Sequence, residues 1–164
     1  MNYSGAGKAW CCICVAAAII SIAPLNAGAQ QGSTQAKLAR ILDRSGYSYT
    51  KAAENVWTVT FKGNSLSEFP VFITSAEDVV VIGAVVAKKE DMRVTTEMMR
   101  LLLKLTHDLD RTKIGFDDDD DLFARVEISS RVFDDQEFKV NIEQVAAVTD
   151  RVHREIKPFL KAQR

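Results

Sequence analysis

Five consecutive aspartates, Asp117 to Asp121, are the densest run of ionisable groups in the chain. Carboxylate oxygens are what a hard cation such as calcium takes as ligands, so the run is a candidate cation site. The spacing argues against a calcium-binding loop. Counted from Asp117, the sixth place, where such a loop needs glycine, holds Leu122, and the twelfth, where it needs glutamate, holds Ile128. A block of like charges favours solvent, and the run is read as the exposed tip of a hairpin.

His107 and His153 are the only histidines. Asp108 or Asp110 could orient His107 as a general base. The hydroxyls available to it, Ser129 and Ser130, have no glycine-flanked elbow to present them. A small hydrolase or cation-dependent enzyme built on His107 and Asp117 to Asp121 is therefore the alternative reading. The primary one assigns no catalytic residue, no cofactor and no metal site, since two histidines fall short of the three or four protein ligands of zinc.

The amino-terminal residues point to export. Lys8 is the one charge in the first ten residues, and Trp10 to Leu25 then runs sixteen positions without another. Ala27 and Ala29 follow in the A-x-A arrangement that signal peptidase accepts, which predicts cleavage before Gln30 and a periplasmic or secreted product. Retention as a membrane anchor is the competing reading, because sixteen apolar residues approach the roughly 20 of a spanning helix. Cys11, Cys12 and Cys14 all fall in this leader, too early for a lipidation cysteine, so the mature chain has no thiol to cross-link it. Dropping Lys8 from the 21 basic residues leaves 20 against 22 acidic ones, a net charge of −2. That excludes the broad basic field a nucleic-acid backbone demands.

The elements follow from periodicity. Gln30 to Ser33 reads as a flexible start, and residues 34–164 as a single domain. Leu38, Ile41 and Leu42 mark a helix capped by Ser33 or Thr34 and ended at Gly46. Tyr47 and Tyr49, then Val56, Trp57, Val59 and Phe61, predict a hairpin, with Thr58 and Thr60 facing out; a strand over Phe69 to Thr74 comes next. Val79 to Ala87 is continuously apolar and β-branched, as expected of a central strand covered on both faces, and Gly83 within it signals a bulge or a close backbone approach. Thr95 or Thr96 caps a second helix reaching about His107. Lys113 to Phe116 and Leu122 to Ser130 form another hairpin, with Phe123, Val126 and Ile128 as its apolar side. Asp134 or Asp135 caps the last and longest helix, to about Leu160. The fold class is α+β: an antiparallel sheet of five or six strands with helices packed on it, in the order α-β-β-β(-β)-α-β-β-α.

Two apolar groups are candidates for binding. Trp57, Phe61, Phe69 and Phe72 would line either the core or a pocket. On the second helix Met98, Met99, Leu102 and Leu103 form a stripe wider than one buried face needs. Adaptable methionines beside leucines suit packing against a protein or peptide partner or against a second copy of the chain.

The segment LLLKLTHDLDRTKIGFDDDDDLFARVEIS, with the closing helix NIEQVAAVTDRVHREIKPFL, resembles the YbjN domain family of bacterial sensory transduction regulators. The likeness lies in a leucine-rich helix, a histidine near its end, a K-I-G strand, an acidic turn and an L-F-x-R strand. It implies a fold similar to type III secretion chaperones and a role in regulation or in holding another protein, and it implies no catalytic motif. The chain departs from the family by its export signal and by Asp120, where the turn tends to hold glycine.

Overall fold

The structure is a computed structural model that describes residues 27–76 and 78–162. The expected leader lies outside the described residues except for residues 27–29, which open the first helix and include the expected cleavage residues Ala27 and Ala29. In chain order the elements are α1 (Ala27–Arg44), β1 (Tyr49–Ala53), β2 (Val56–Phe61), β3 (Phe69–Ala76), β4 (Val79–Ala87), α2 (Thr96–Asp108), β5 (Lys113–Phe116), β6 (Leu122–Ser129) and α3 (Asp135–Ile156). Short 3-10 turns at Lys89–Asp91 and Lys157–Phe159 join or end them. Among the described residues no helix is long and apolar enough to cross a membrane.

The six strands form one antiparallel sheet in the order β1-β2-β3-β4-β6-β5. All three helices lie on one face of it. Leu38, Ile41 and Leu42 of α1 and Phe138, Ile142 and Val145 of α3 meet Val59, Val71, Ile73, Val80, Ile82 and Val126 in one core cluster. A second cluster joins Met98, Leu102 and Leu105 of α2 to Val148, Val152 and Ile156 of α3 over Val86, Leu122 and Ala124. Helix α3 belongs to both, because its apolar residues recur every three or four positions along its whole length.

Local chemistry sets the ends. The Thr95 hydroxyl accepts the Met98 amide, the Asp134 carboxylate accepts the Glu137 amide at 2.8 Å, and Gly46 takes the positive φ of 79° that closes α1. Pro158 stops α3 at Ile156, short of the expected Leu160, by turning the chain into a 3-10 turn. Helix α1 starts seven residues before the expected cap at Thr34. Gln30–Ser33, expected as a flexible start, are helical, in keeping with the helix-forming Ala and Gln residues there.

Two expectations about the strands are corrected. On β6 the buried side is Leu122, Ala124, Val126 and Ile128; Phe123 is on the other side, since alternation places it with Arg125. Strand β4 is central as expected, but helices cover one of its faces only. Val79, Val81, Gly83 and Val85 look the other way, and Val85 is 41% exposed. On that open face Phe72 lies across Gly83, where an added Cβ would stand 2.5 Å from the ring Cζ and 3.1 Å from Arg125 Cβ. Neither the bulge nor the close backbone approach expected at Gly83 is found there: the register irregularity of β4 falls between Val85 and Ala87, and what approaches Gly83 is an aromatic side chain.

Gly83→Val should therefore lower stability by about 1–3 kcal/mol through overpacking, read as the shift in a urea unfolding midpoint. Adding Phe72→Ala should return part of the loss; a double variant no more stable than the single one would show that the ring is not what fills the space.

Candidate protein-binding surfaces

Helix α2 divides the four side chains singled out on it. Met98 and Leu102, with Leu105, turn into the core at 0%, 6% and 6% exposure, so they are not available to a partner. Met99 and Leu103 lie about 100° further round the helix and remain exposed at 39% and 70%. Val94, just before the helix, is exposed as well. A shallow groove of about 500 Å³ runs beside Leu103, lined by Lys104, His107 and Asp108. The sequence stripe was too wide because a period of 3.6 residues cannot tell which shoulder of a broad apolar face meets the sheet.

His107 is an exposed residue of this groove, and no hydrogen bond joins it to Ser129 or Ser130. Ser129 Oγ is buried without a partner among the described residues, and the Ser130 carbonyl accepts the Lys37 ammonium at 2.8 Å. The aspartate run is organised by its own backbone. Asp117 Oδ1 accepts the amides of Asp119 and Asp121, and Asp120 takes a φ of 63°. The tip is tied to the turn after β4: Asp121 Oδ1 accepts the Lys89 amide, and Asp120 pairs with the Lys89 ammonium. That hydrogen bond and the charges of Asp120, Asp119 and Asp121 hold the Lys89 pKa above its usual value. Among the described residues no group of three or more His, Cys, Asp or Glu could hold a metal ion.

The serine and histidine that do meet are Ser65 and His153, with Oγ and Nδ1 2.8 Å apart. They clip the loop between β2 and β3 onto α3, and sequence reasoning missed them because 88 residues separate the two. The main fastener beside them is Asp150. Its carboxylate accepts the amides of Asn64, Ser65 and Leu66 at 3.1, 2.7 and 2.8 Å, with Gly63 leaving room for the approach. The amides of this loop that could stabilise an oxyanion next to Ser65 are thus committed to Asp150, which leaves the pair as a latch. Burial lowers the His153 pKa, as does the Lys157 cation, and Asp150 opposes both. Burial pushes the Asp150 carboxyl up, but the three amides together outweigh it and leave its pKa below the ordinary value of 3.8.

Cavities open on both sides of this loop. One of about 420 Å³ has Phe61, Phe69 and Ala146 as its floor and Lys62, Glu143, Arg151 and Arg154 around its rim. Tyr47 lies beside Phe61, the ring centroids 5.7 Å apart and the rings tilted, and burial and its bond to Glu143 push the phenol up to about 12. The other, of about 550 Å³, lies beside His153, Val85 and Lys88. Of the four aromatic candidates, Trp57 and Phe69 are core, Phe61 is half-buried in the first cavity and Phe72 is on the open sheet face.

Asp150→Ala should cost about 2–3 kcal/mol at neutral pH by leaving three amides without their acceptor. A carboxyl with a depressed folded pKa contributes stability that is fully present above its unfolded pKa and lost as pH falls through the folded one. The gap between wild type and variant should therefore narrow below about pH 4, measured as urea midpoints down to about pH 2. A gap constant across that range would mean the charge of Asp150 does not hold the loop.

No family model matches the chain, and no curated protein does. Solved structures do. A chain of the ExsC–ExsE complex shares 13% identity at a TM-score of 0.55, covering 77% of this chain and 95% of that one. A chain of the heterodimeric ExoU–SpcU complex from the type III secretion system of Pseudomonas aeruginosa also shares 13% identity at 0.55, over 73% and 97%. The Yersinia pestis type III secretion chaperone SycH, in complex with a fragment of YscM2, is at 11% and 0.48, over 76% and 99%. The fold is the type III secretion chaperone-like α+β arrangement expected from the sequence.

Proposed function

We propose that the chain is an exported, non-catalytic binding module of chaperone, adaptor or regulatory type, YbjN-like in its carboxy-terminal half, that holds a protein or peptide on α2. The observation that carries this is the pair Met99 and Leu103: one helical turn apart and exposed, on a helix anchored through Met98, Leu102 and Leu105. A large apolar pair beside a shallow groove is a surface that gains by being covered. The fold supports the reading, since the two similar structures at a TM-score of 0.55 are each complexes of two proteins. Export is supported by the apolar stretch from Trp10 to Leu25 and the A-x-A site at Ala27 and Ala29.

The binding is tested by capture from the exported fraction of the native cell, with Met99→Asp and Leu103→Asp as comparison baits. Wild type should retain one protein reproducibly, and each substitution should cut recovery about tenfold, the effect of roughly 1.4 kcal/mol, with the bait still folded. Recovery unchanged by both substitutions, or no capture at any salt concentration, would remove α2 as the site.

For export, mass spectrometry of the protein recovered outside the cytoplasm should find Gln30 at the amino terminus, and Ala29→Leu should leave the leader attached. A chain that keeps Met1 and sediments with membranes would instead identify the leader as an anchor.

A further inference from the structure

The cavity of about 420 Å³ beside the loop that Asp150 fastens has the size of a small-molecule site. Its floor is aromatic and shallow. Phe61 and Phe69 stack with ring centroids 6.4 Å apart and planes 30° from parallel, and the short side chains of Ala146 and Ala147 on α3 leave the space beside them open. The rim is basic. Ala147, Arg151 and Arg154 fall at i, i+4 and i+7, so one face of α3 brings both guanidinium groups to the cavity, and Lys62, just after β2, adds a third cation.

Two carboxylates share this rim, and both are engaged. Glu143 accepts the Tyr47 hydroxyl at 3.0 Å, and Asp150 accepts the amides of Asn64, Ser65 and Leu66. The cations are held far less firmly. Arg151 stands 3.7 Å from Asp108 and Arg154 3.2 Å from its chain neighbour Glu155, exposed pairs for which water already competes, and Lys62 has no ion pair among the described residues.

We propose that this cavity binds a small aromatic carboxylate, its flat ring on Phe61 and Phe69 and its charge taken by Arg151, Arg154 and Lys62. Planar guanidinium groups take a carboxylate through paired, charge-assisted hydrogen bonds. The ring suits the floor because aromatic faces gain by offset stacking, and two neighbouring rings give a ligand of one or two fused rings a surface of its own size. The charge balance selects a monoanion. Three cations against two carboxylates leave one positive charge in excess, which a single carboxylate neutralises, whereas a second negative charge would add to those of Glu143 and Asp150. No residue of α2 lines the cavity, so this site and client capture on α2 stand or fall separately.

The probe is 2-naphthoate, titrated into the protein recovered after expression of the full chain and followed by amide chemical shifts. A ligand of this size in an open site should bind with a dissociation constant on the order of 0.1–1 mM. The shifts should gather at residues 62–64 and along α3 from Ala146 to Arg154. The uncharged 2-naphthamide should bind about tenfold more weakly, the loss of one charge-assisted contact. Lys62→Gln with Arg154→Gln, both at exposed positions, should weaken naphthoate about tenfold as well and leave naphthamide unchanged. Ala147→Phe, also at an exposed position, should fill the cavity and abolish binding of both while the rest of the amide spectrum is preserved. Lys104→Gln, beside Leu103, should change nothing. Absence of any shift up to about 10 mM overturns the proposal, being weaker than the site predicts. So do naphthamide binding as tight as that of naphthoate, shifts gathered at Leu103 and Lys104 instead, or an affinity that Ala147→Phe leaves intact.

Discussion

Burial of α3 against β4 and β6 is the contact on which the other elements depend. Val145 and Ile142 lie with Val80, Ile82 and Val126 in one cluster, and Val148, Val152 and Ile156 carry the same helix into the next. Among the described side chains, those of α1 reach only the first cluster and those of α2 only the second. Without α3 the two would be separate small cores, each too limited to offset the entropy of ordering its own strands. No cysteine follows Cys14, so the folded domain has no disulfide to compensate, and packing along this one helix supplies what a cross-link would.

The same helix positions the irregular parts. Asp150 and His153, one turn apart on α3, take hold of the loop between β2 and β3, and Glu143 takes the Tyr47 hydroxyl near the start of β1. Three amides on one carboxylate make a stiff connection, because rotating the loop away would break three charge-assisted hydrogen bonds at once. Chemically this removes the most reactive-looking pair from catalysis. Ser65 and His153 have the separation a nucleophile and base would need, but the neighbouring amides face Asp150, and a developing negative charge at Ser65 would meet a carboxylate.

Most of the architecture was legible in the sequence, for a physical reason: periodic burial leaves a periodic text. Strands β4 and β5 match their expected bounds, and the caps at Thr95 and Asp134 are where Thr and Asp precede an apolar run. Errors arose where side-chain type fails to report direction. Phe123 reads as core by hydrophobicity, yet it lies over Gly115 on the open side, because alternation had already given the inner side to Leu122 and Ala124. Met98 and Leu102 could not be told from Met99 and Leu103 until the sheet beneath α2 was in place. The pairing of Ser65 with His153 and the Asp150 clamp had no local signal, since each joins groups more than 80 residues apart.

The distribution of exposed apolar groups is what the proposed binding role rests on. Catalysis needs polar groups converging on a dry cavity. Here the carboxylates that converge do so to fasten backbone: Asp150 on its loop, Asp117 on its own tip, Asp121 on the Lys89 amide. The large apolar side chains left exposed lie on opposite sides of one sheet. Met99 and Leu103 look out from the helical layer, and Val81, Val85 and Phe123 from the bare strands. Contacts made on opposite sides of a sheet do not compete for space.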